Sequence, residues 1–569
     1  MSEEARLYWL LGAVATALLG AIWLTGALSA AIFGSGWTPI PLSALAATAL
    51  RLPSHLADPS GAWPRGSRAA LPGPLGFYSV ALLVLALAAA IAFLGARASE
   101  LIDLAAIAGK GRQRAPSARW ASRRELRVLR VPAAQRGRLT LGRSGRALLA
   151  AQERQSVIVF GPTSTLKTTG LAIPALLEWQ GPVLATSVKN DLLADTLARR
   201  AELGKVMIFD PSQVTKLPRS RATPLLGATN WRGAMRVAHW LCAGAQTARP
   251  GMKDADFWFA AAEKLLAPLL FAAAANGEKV EAVVRWLDEG PEASEAEVAE
   301  LLARTEVAEA ERAWLATQNR EARQRSSVYT TAELVMATFA DPKVIEETAA
   351  SDYTPGSLLD GRANTLYLCA PLHEQERLRT LFSMIVQELL AVVYESAAAS
   401  GEPIDPPLLL LLDEAANIAP IPNLDEIAST GAGQGIQLLS VFQDFAQLSA
   451  RYGRRSATIV NNHRAKIFGT GISDPEALSY VSRIVGVGEF EQRSRTAGER
   501  GRRSTTEGDT YRDLVPGNVL RQADPGTGLL VYGHLPPAKI RLRPWFRERK
   551  LKKLREASPG GSAVKEEKA

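Results

Sequence analysis

Two long apolar stretches without charge open the chain, and shorter apolar runs separated by polar segments follow them. Residues 7–50 and 69–96 contain no Asp, Glu, Lys or Arg. A helix needs roughly 20 apolar residues to cross a bilayer. The pattern therefore predicts a membrane hairpin over residues 1–96, with spans at about 7–33 and 75–96 and a loop between them.

The charges beside these stretches predict how the hairpin is oriented. Between Arg97 and Arg130 there are nine basic and three acidic residues, a net charge of +6, and such positive flanks stay in the cytoplasm. We therefore expect a two-pass protein of the bacterial cytoplasmic membrane, with the loop outside and the bulk of the chain in the cytoplasm. A cleavable signal peptide is the alternative for the first stretch, but Glu3 and Glu4 do not suit the positive start of such a peptide.

After the hairpin, short apolar runs alternate with segments of helical periodicity. Residues 182–187 and 205–209 have the pattern of buried strands, and residues 190–201 between them have that of a helix. This alternation is typical of a doubly wound parallel sheet. From about residue 231 to 336 the chain is rich in alanine and glutamate, with helical periodicity and no strand pattern. This composition and periodicity predict an all-helical domain inserted into the sheet domain.

The segment SVIVFGPTSTLKTTG, residues 156–170, has the pattern of a phosphate-binding loop. A predicted strand turns sharply at Gly161 into a helix that can start at Lys167, which aims backbone N–H groups and a helix N-terminus at phosphate. We expect Lys167 to reach the β- and γ-phosphates of ATP and the Thr168 hydroxyl to coordinate Mg²⁺. The residues predicted to bind the nucleotide are Gly161, Pro162, Thr163, Ser164, Thr165, Leu166, Lys167, Thr168 and Thr169.

Leu166 departs from the usual pattern G-x-x-x-x-G-K-[ST], in which a glycine precedes the lysine. A glycine there adopts positive φ and lets the backbone approach phosphate, which a leucine tolerates poorly. Leu166 is therefore expected either to strain the loop or to require a loop rebuilt around it.

A second segment supplies the acidic residues that such a site needs. Leu408 to Leu412 have the pattern of a strand buried on both faces, and Asp413 and Glu414 follow at the carboxyl edge, where open α/β sheets bind ligands. Asp413 is expected to hold Mg²⁺ through water, and Glu414 to orient the attacking water. For the loop alone, a strand and helix cap without a ligand would be the alternative.

Gln443 ends a further predicted strand, residues 435–443. It is a candidate sensor of the γ-phosphate and joins Lys167 and Glu414 as a predicted catalytic residue. Polar residues at strand ends are commonly solvated caps, so position alone leaves both interpretations open. Between Glu489 and Arg512 we expect a polar, arginine-rich, mobile loop.

Composition adds limits on compartment and partners. The chain of 569 residues carries a net charge of +9 and has only two cysteines, Cys242 and Cys369. Neither a disulfide framework nor a zinc site is supported, which fits a reducing compartment. The basic balance favours phosphate polyanions, but basic residues near membrane spans serve anionic lipids equally well. The basic run from Arg541 to Glu556 is compatible with DNA, lipid or a solvated helix face.

Together these patterns predict the order of domains. It runs from a membrane hairpin (1–96) through a basic cytoplasmic linker (97–135), the first part of a nucleotide-binding domain (136–230), an all-α domain (231–345) and the second part of the nucleotide-binding domain (346–545) to a basic C-terminal tail (546–569).

Several motifs resemble the TraG/TraD-like type IV coupling proteins, which are membrane-anchored ATPases of conjugative DNA transfer and type IV secretion. They are the hairpin, ARWA at 118–121, GPTSTLKTTG at 161–170, SVKNDL at 187–192, and DEAANIAPIPNLDEIASTGAGQGIQLLSVFQDFAQLSARYG at 413–453. The last block is the most specific, and in it Gln443 matches the glutamine of the family.

The resemblance implies an α/β fold: a RecA-like P-loop NTPase core with an inserted all-α domain and an N-terminal two-helix transmembrane hairpin. It implies ATP and Mg²⁺ as cofactors and a homo-hexamer as the assembly. The implied partners are single-stranded DNA and relaxase nucleoprotein, type IV secretion channel proteins and membrane lipids. The arginine that completes a neighbour's site stays open among Arg451, Arg454, Arg455 and Arg464.

Two other functions remain open from the sequence. One is a motor of the same architecture with another cargo, such as an FtsK-like DNA translocase or a protein-secretion ATPase. The other is a non-hydrolysing docking receptor with a degenerate P-loop, which the substitution at Leu166 motivates.

Overall fold

The chain forms two compact units, Met1–Pro116 and Ser117–Ala569. The computed structural model describes residues 3–37, 41–89, 117–187, 190–248, 254–417, 421–497 and 503–556. The end of the second predicted span and most of the predicted linker, residues 90–116, lie outside the described residues.

The described part of the first unit contains three α-helices, α1 (Glu3–Phe33), α2 (Leu42–Arg51) and α3 (Pro74–Ala89). Trp63, in the connection between α2 and α3, is buried and packs edge-on against Phe77 with 5.1 Å between ring centroids. Edge-to-face pairs of this kind add to the stabilisation from burial. The aromatic pair therefore forms a small core of this unit's own.

A twelve-stranded mixed sheet forms the centre of the second unit, in the order β1-β3-β2-β14-β13-β10-β4-β9-β8-β5-β7-β6. A separate two-stranded sheet pairs β11 with β12. The strands are β1 Arg130–Val131, β2 Thr140–Ser144, β3 Ala147–Ala150, β4 Val157–Phe160, β5 Val183–Ser187, β6 Val206–Phe209, β7 Thr365–Cys369, β8 Leu408–Leu412, β9 Ile436–Phe442, β10 Ala465–Gly469, β11 Val487–Ala497, β12 Arg503–Asp513, β13 Thr527–Tyr532 and β14 Ala538–Arg541.

The sheet has a parallel half and an antiparallel half that meet at β10. From β10 to β6 the neighbours run parallel, whereas β13 pairs with β10 antiparallel and starts the other half. In the parallel half, β4, β8 and β9 are buried along their whole length. Parallel strands covered on both faces have near-continuous apolar sequences, which is why these were recognisable in the sequence.

Helices cover both faces of the sheet and fill the long segment between β6 and β7. They are α4 Ile173–Glu178, α5 Asn190–Leu203, α6 Trp231–Ala248, α7 Ala255–Ala275, α8 Val280–Glu289, α9 Pro291–Ala303, α10 Ala308–Gln318, α11 Ala322–Met336, α12 Pro342–Thr348, α13 Gln375–Ser400, α14 Leu424–Gln434, α15 Phe445–Tyr452, α16 Arg455–Asn462, α17 Pro475–Val485, α18 Gly517–Gln522 and α19 Arg549–Glu556. Between β6 and β7 the described residues form helices and no strand; the domain boundaries 231 and 345 stay a prediction.

Among the described residues, two helices of at least 18 residues are apolar enough to cross a bilayer. They are α7 and α13, and most of each is buried inside the protein. A core helix of a soluble domain passes the same test, so neither indicates a membrane. The predicted spans fall on α1 and α3, whose described apolar parts are Leu18–Phe33 and Pro74–Ala89. The two-pass topology therefore stays a prediction.

The expectation of a loop between Glu489 and Arg512 is wrong. Strands β11 and β12 form a two-stranded antiparallel ribbon, paired from Val487 with Asp513 to Ala497 with Arg503. The sequence hides this ribbon because a strand is recognised by apolar residues at every second position. Polar residues dominate both strands, so the alternation is missing.

Candidate functional site

Three parallel strands bring the predicted site residues to one edge of the sheet. β9 lies between β4 and β8, with Phe160 opposite Phe442 and Leu412 opposite Ser440. The carboxyl ends of parallel strands meet at one sheet edge, where α/β proteins bind ligands. The loop after β4, the residues after β8 and Gln443 after β9 are thus neighbours.

Hydrogen bonds hold the loop after β4 in a tight turn. The Gly161 N–H donates to the Phe442 carbonyl at 3.3 Å, and the Thr165 hydroxyl donates to the Pro162 carbonyl at 2.8 Å. A Cβ added to Gly161 would lie 3.0 Å from the Thr165 hydroxyl oxygen. A side chain at position 161 would therefore crowd the Thr165 hydroxyl.

Leu166 adopts the left-handed conformation that a glycine favours. Its φ is 62°, and Ser164 has a φ of 68°. Leucine rarely occupies this region, and one residue held there costs on the order of 1–3 kcal/mol. The departure from the usual motif is thus a change of side chain, because the backbone keeps positive φ.

Replacing Leu166 with glycine is expected to tighten ATP binding by about fivefold, because glycine reaches positive φ without strain. Titration of a fluorescent ATP analogue against both forms measures the change. Unchanged or weaker affinity in Leu166→Gly would reject the hypothesis that the leucine strains this loop.

The helix after the loop begins with an irregular turn. Residues Thr168–Ala172 form a π-helical turn that leads into α4. Pro174 has no N–H to give the Gly170 carbonyl four residues earlier, and its ring crowds that carbonyl. Such a proline favours a local irregularity of this kind. The helix nevertheless begins at the carboxyl edge of the sheet, beside the loop after β4.

The side chain of Lys167 folds back onto the backbone of the loop after β4. Its Nζ donates to the Pro162 carbonyl at 2.7 Å and also to the Gly161 carbonyl. Burial lowers the pKa of Lys167, while the nearby carboxylates of Asp413 and Glu414 raise it. The ammonium group is thus placed between the loop and the acidic residues after β8.

Thr168 and Asp413, the two predicted metal ligands, contact each other directly. The Thr168 hydroxyl donates to Asp413 Oδ2 at 2.9 Å, and the Thr186 hydroxyl donates to the Asp413 backbone carbonyl at 3.0 Å. Burial raises the pKa of the Asp413 carboxyl to about 6, although the hydrogen bond from Thr168 lowers it. A cation beside this carboxylate would favour its charged form.

Glu414 is held between two side-chain amides. Gln443 Nε2 lies 3.4 Å from Glu414 Oε1, and Asn417 Nδ2 lies 3.4 Å from Glu414 Oε2. Glu414 has a positive φ of 56°, and non-glycine residues in this region are concentrated at functional sites. The structure therefore brings Gln443 to the carboxylate that was predicted to orient water.

Asn417, Asp444 and Gln447 support the site and were not predicted from the sequence. The Asp444 carboxylate caps α15 by accepting from the Gln447 N–H at 2.7 Å, and the Gln447 side chain accepts from the Gln443 N–H at 3.1 Å. This arrangement resembles a capping box, in which the cap and a Gln or Glu three residues later bond each other's backbone. The spacing Asp444-x-x-Gln447 was the signal that could have revealed it.

Alanine in place of Asp444 is expected to lower the free energy of unfolding by about 1 kcal/mol, the usual loss for a helix N-cap. Because the cap adjoins Gln443, ATP turnover should fall as well. Thr354→Ala removes the cap of a single helical turn away from this edge, and it should lower stability without changing turnover. Equal turnover in the two variants would show that the Asp444 cap does not position Gln443.

The donors at this edge fit Mg²⁺ better than a transition metal. Mg²⁺ prefers hard oxygen ligands and usually keeps several waters, so one hydroxyl and one carboxylate are a typical protein contribution. Within the described ranges no three His, Cys, Asp or Glu side chains cluster as a metal cage.

The candidate arginines lie at different places. Arg464 comes immediately before β10, at the amino edge and thus away from the site. Arg455 donates to the Pro422 carbonyl at 3.0 Å. Burial and the charge of the neighbouring Arg451 lower the pKa of Arg379 to about 10, and Arg379 donates to the Asn417 carbonyl at 3.3 Å. Arg451 is therefore a candidate close to the carboxyl edge.

The chain is similar to known proteins of conjugal transfer. A family model described as "Type IV secretory system Conjugative DNA transfer" matches residues 113–565. The conjugal transfer protein TraG of Rhizobium radiobacter is 24% identical over 414 residues, which cover 68% of this chain and 62% of that protein. Protein VirD4 of Rhizobium radiobacter is 23% identical over 423 residues, which cover 72% and 59%. The chain thus spans about three fifths of the length of these curated relatives.

Solved structures of similar fold include the plasmid coupling protein TrwB in complex with ADP and Mg²⁺. It aligns with a TM-score of 0.57 at 18% identity, covering 76% of this chain and 94% of that one. A trigonal form of the bacterial conjugative coupling protein TrwBdeltaN70 in complex with sulphate aligns with a TM-score of 0.58 at 18% identity, covering 76% and 96%. The likeness shows that the second unit has the α/β fold of these coupling-protein structures.

Proposed function

The chain belongs to the type IV secretory system family of conjugative DNA transfer, and from that premise we propose that it is a membrane-anchored, ATP-driven motor. It couples a DNA or relaxase–DNA substrate to a type IV secretion channel. One observation carries the proposal: residues from three strands meet at one sheet edge with the chemistry that hydrolysis needs. They are Lys167, Thr168, Asp413, Glu414 and Gln443.

Hydrolysis follows from the position of each side chain. Lys167 neutralises the β- and γ-phosphates from within the loop, and Thr168 and Asp413 would hold Mg²⁺. The cation would offset the negative charge that develops on the phosphate oxygens. Glu414 orients the attacking water, and Gln443, in contact with Glu414, links that carboxylate to the state of the γ-phosphate.

The proposed assembly is a homo-hexamer, in which a neighbouring copy completes each ATP site with an arginine. The candidates are Arg451, Arg454, Arg455 and Arg464, and Arg451 lies beside Arg379 near the carboxyl edge of its own subunit. An arginine added in trans stabilises charge in the transition state of phosphoryl transfer. A monomer is then expected to hydrolyse ATP very slowly.

Charge and apolar segments support the proposed partners. In the basic run predicted to meet DNA or lipid, Arg543 is buried with Glu178 and is unavailable to a partner. The exposed basic residues of the run are Arg541, Arg547, Arg549, Lys550, Lys552 and Lys553. Such a patch attracts the phosphates of single-stranded DNA or of anionic lipid.

The apolar helices α1 and α3 support anchoring in the cytoplasmic membrane, with the second unit in the cytoplasm.

The deciding experiment is ATP hydrolysis by the assembled oligomer of the full chain in detergent, with and without single-stranded DNA. We expect DNA to stimulate phosphate release. No release under either condition would favour a docking receptor, although the positive φ of Leu166 supports an intact phosphate cradle. Stimulation by double-stranded DNA alone, with directional movement in a strand-polarity assay, would favour an FtsK-like translocase.

A further inference from the structure

Leu166 packs against one glycine that lies far along the chain. Gly526 precedes β13 and has a positive φ of 84°. A Cβ added there would lie 3.1 Å from Leu166 Cδ1, and no other described atom outside the adjoining residues comes within 4 Å of that position. The side chain of Leu166 therefore lies against Gly526.

Two residues after β14 fix the distance between this glycine and the phosphate-binding loop. The Leu542 N–H donates to the Gly526 carbonyl at 2.7 Å, and the Arg543 N–H donates to the Gly170 carbonyl at 3.0 Å. Gly170 in turn donates to the Leu166 carbonyl at 2.7 Å. Gly526 and Leu166 are thus held by one continuous chain of backbone hydrogen bonds, and we call Gly526, Leu542 and Arg543 the brace.

The bond from Arg543 fills a gap that the sequence creates. An α-helix would satisfy the Gly170 carbonyl with the N–H of residue 174, but Pro174 has none. A buried carbonyl without a donor is costly, and Gly170 is buried. The side chain of Arg543 adds a second attachment, because its guanidinium binds Glu178 at the end of α4 at 2.8 Å.

We propose that the brace positions the phosphate-binding loop and that Gly526 makes room for a leucine at position 166. The proposal rests on the proposed ATPase function, because the loop that is positioned is the one that binds ATP. A side chain at position 526 would crowd Leu166 Cδ1 and displace Leu166, and with it the phosphate-binding loop. Gly526 acts through Leu166, so it is a positioning residue.

A double-mutant cycle tests the proposal in the full chain in detergent, with a fluorescent ATP analogue and Mg²⁺ as the probe. Gly526→Ala is expected to weaken binding of the analogue about tenfold, and no more than about twofold when Leu166→Gly is also present, a coupling in the range of contacting residues. Gly361→Ala is the matched control, because Gly361 has a φ of 86° and open space around it. It should destabilise the protein without changing affinity.

The remaining outcomes also decide the proposal. Equal weakening by Gly526→Ala in both backgrounds would overturn it, since strain at position 526 would then be the whole effect. If Gly526→Ala does not fold, the pair Leu166→Ala with Gly526→Ala must fold, and failure of that pair counts against the brace. If the native protein binds no analogue, the proposed ATPase function fails, and coupling between the two sites in unfolding temperature then decides whether the contact exists.

Discussion

Alanine in place of Lys167 is expected to abolish ATP hydrolysis and DNA transfer while leaving the fold intact. The lysine supplies a positive charge where the β- and γ-phosphates bind. In the structure its Nζ contacts only loop carbonyls, those of Gly161 and Pro162, among the described atoms within hydrogen-bond distance. Its removal therefore takes charge from the loop and leaves the apolar core unchanged.

Hydrolysis by the oligomer, transfer frequency in cells and thermal unfolding measure the three parts of this prediction. Lys205→Ala is the matched control, because it removes an exposed lysine next to the amino end of β6. That variant should hydrolyse ATP and transfer DNA normally. Wild-type transfer by Lys167→Ala would remove the basis for a motor function.

The parts of the fold that sequence could predict are those with a local signal. Leu408 to Leu412 form one buried strand, and Val157 to Phe160 form another, because continuous apolar runs mark strands covered on both faces. Asp413 and Glu414 could be placed at the sheet edge for the same reason. Site residues could therefore be predicted from the sequence where they directly follow a recognisable buried strand.

The antiparallel half of the sheet could not be predicted in the same way. β1 pairs with β3, β3 with β2, and β2 with β14. Arg143 in β2 binds Glu548, which lies 405 residues away. Short strands with mixed composition gain their stability from such distant partners, because strand preference depends on packing against neighbours. No short segment of the sequence shows which distant strand each of these strands will pair with.

The same limit applies to Leu166. The motif shows that a glycine is missing and predicts strain, and the φ of 62° agrees with it. What the motif cannot show is where the extra side chain goes, since Gly526 lies on another strand connection. The effect of Leu166 on the phosphate-binding loop therefore depends on this long-range contact as much as on the local backbone conformation.

Glutamine in place of Glu414 is expected to keep ATP bound while slowing turnover by roughly 100-fold or more, since positioned bases of this kind contribute about that much. Glutamine keeps the shape of the side chain but cannot accept the proton of the attacking water. The contact of Thr168 with Asp413 does not involve Glu414, so Mg²⁺ and nucleotide binding should persist.

Single-turnover hydrolysis and titration of a fluorescent ATP analogue separate these two effects. Glu426→Gln is the matched control, because Glu426 is an exposed residue in the first turn of α14 and should affect neither quantity. The contact between Gln443 Nε2 and Glu414 Oε1 at 3.4 Å adds a further constraint. If Glu414 orients water while Gln443 orients Glu414, then Gln443→Ala should also slow turnover more than it weakens binding. Equal loss of binding and turnover in Glu414→Gln would instead assign the carboxylate a structural role, in which it holds Asn417 and Gln443 in place.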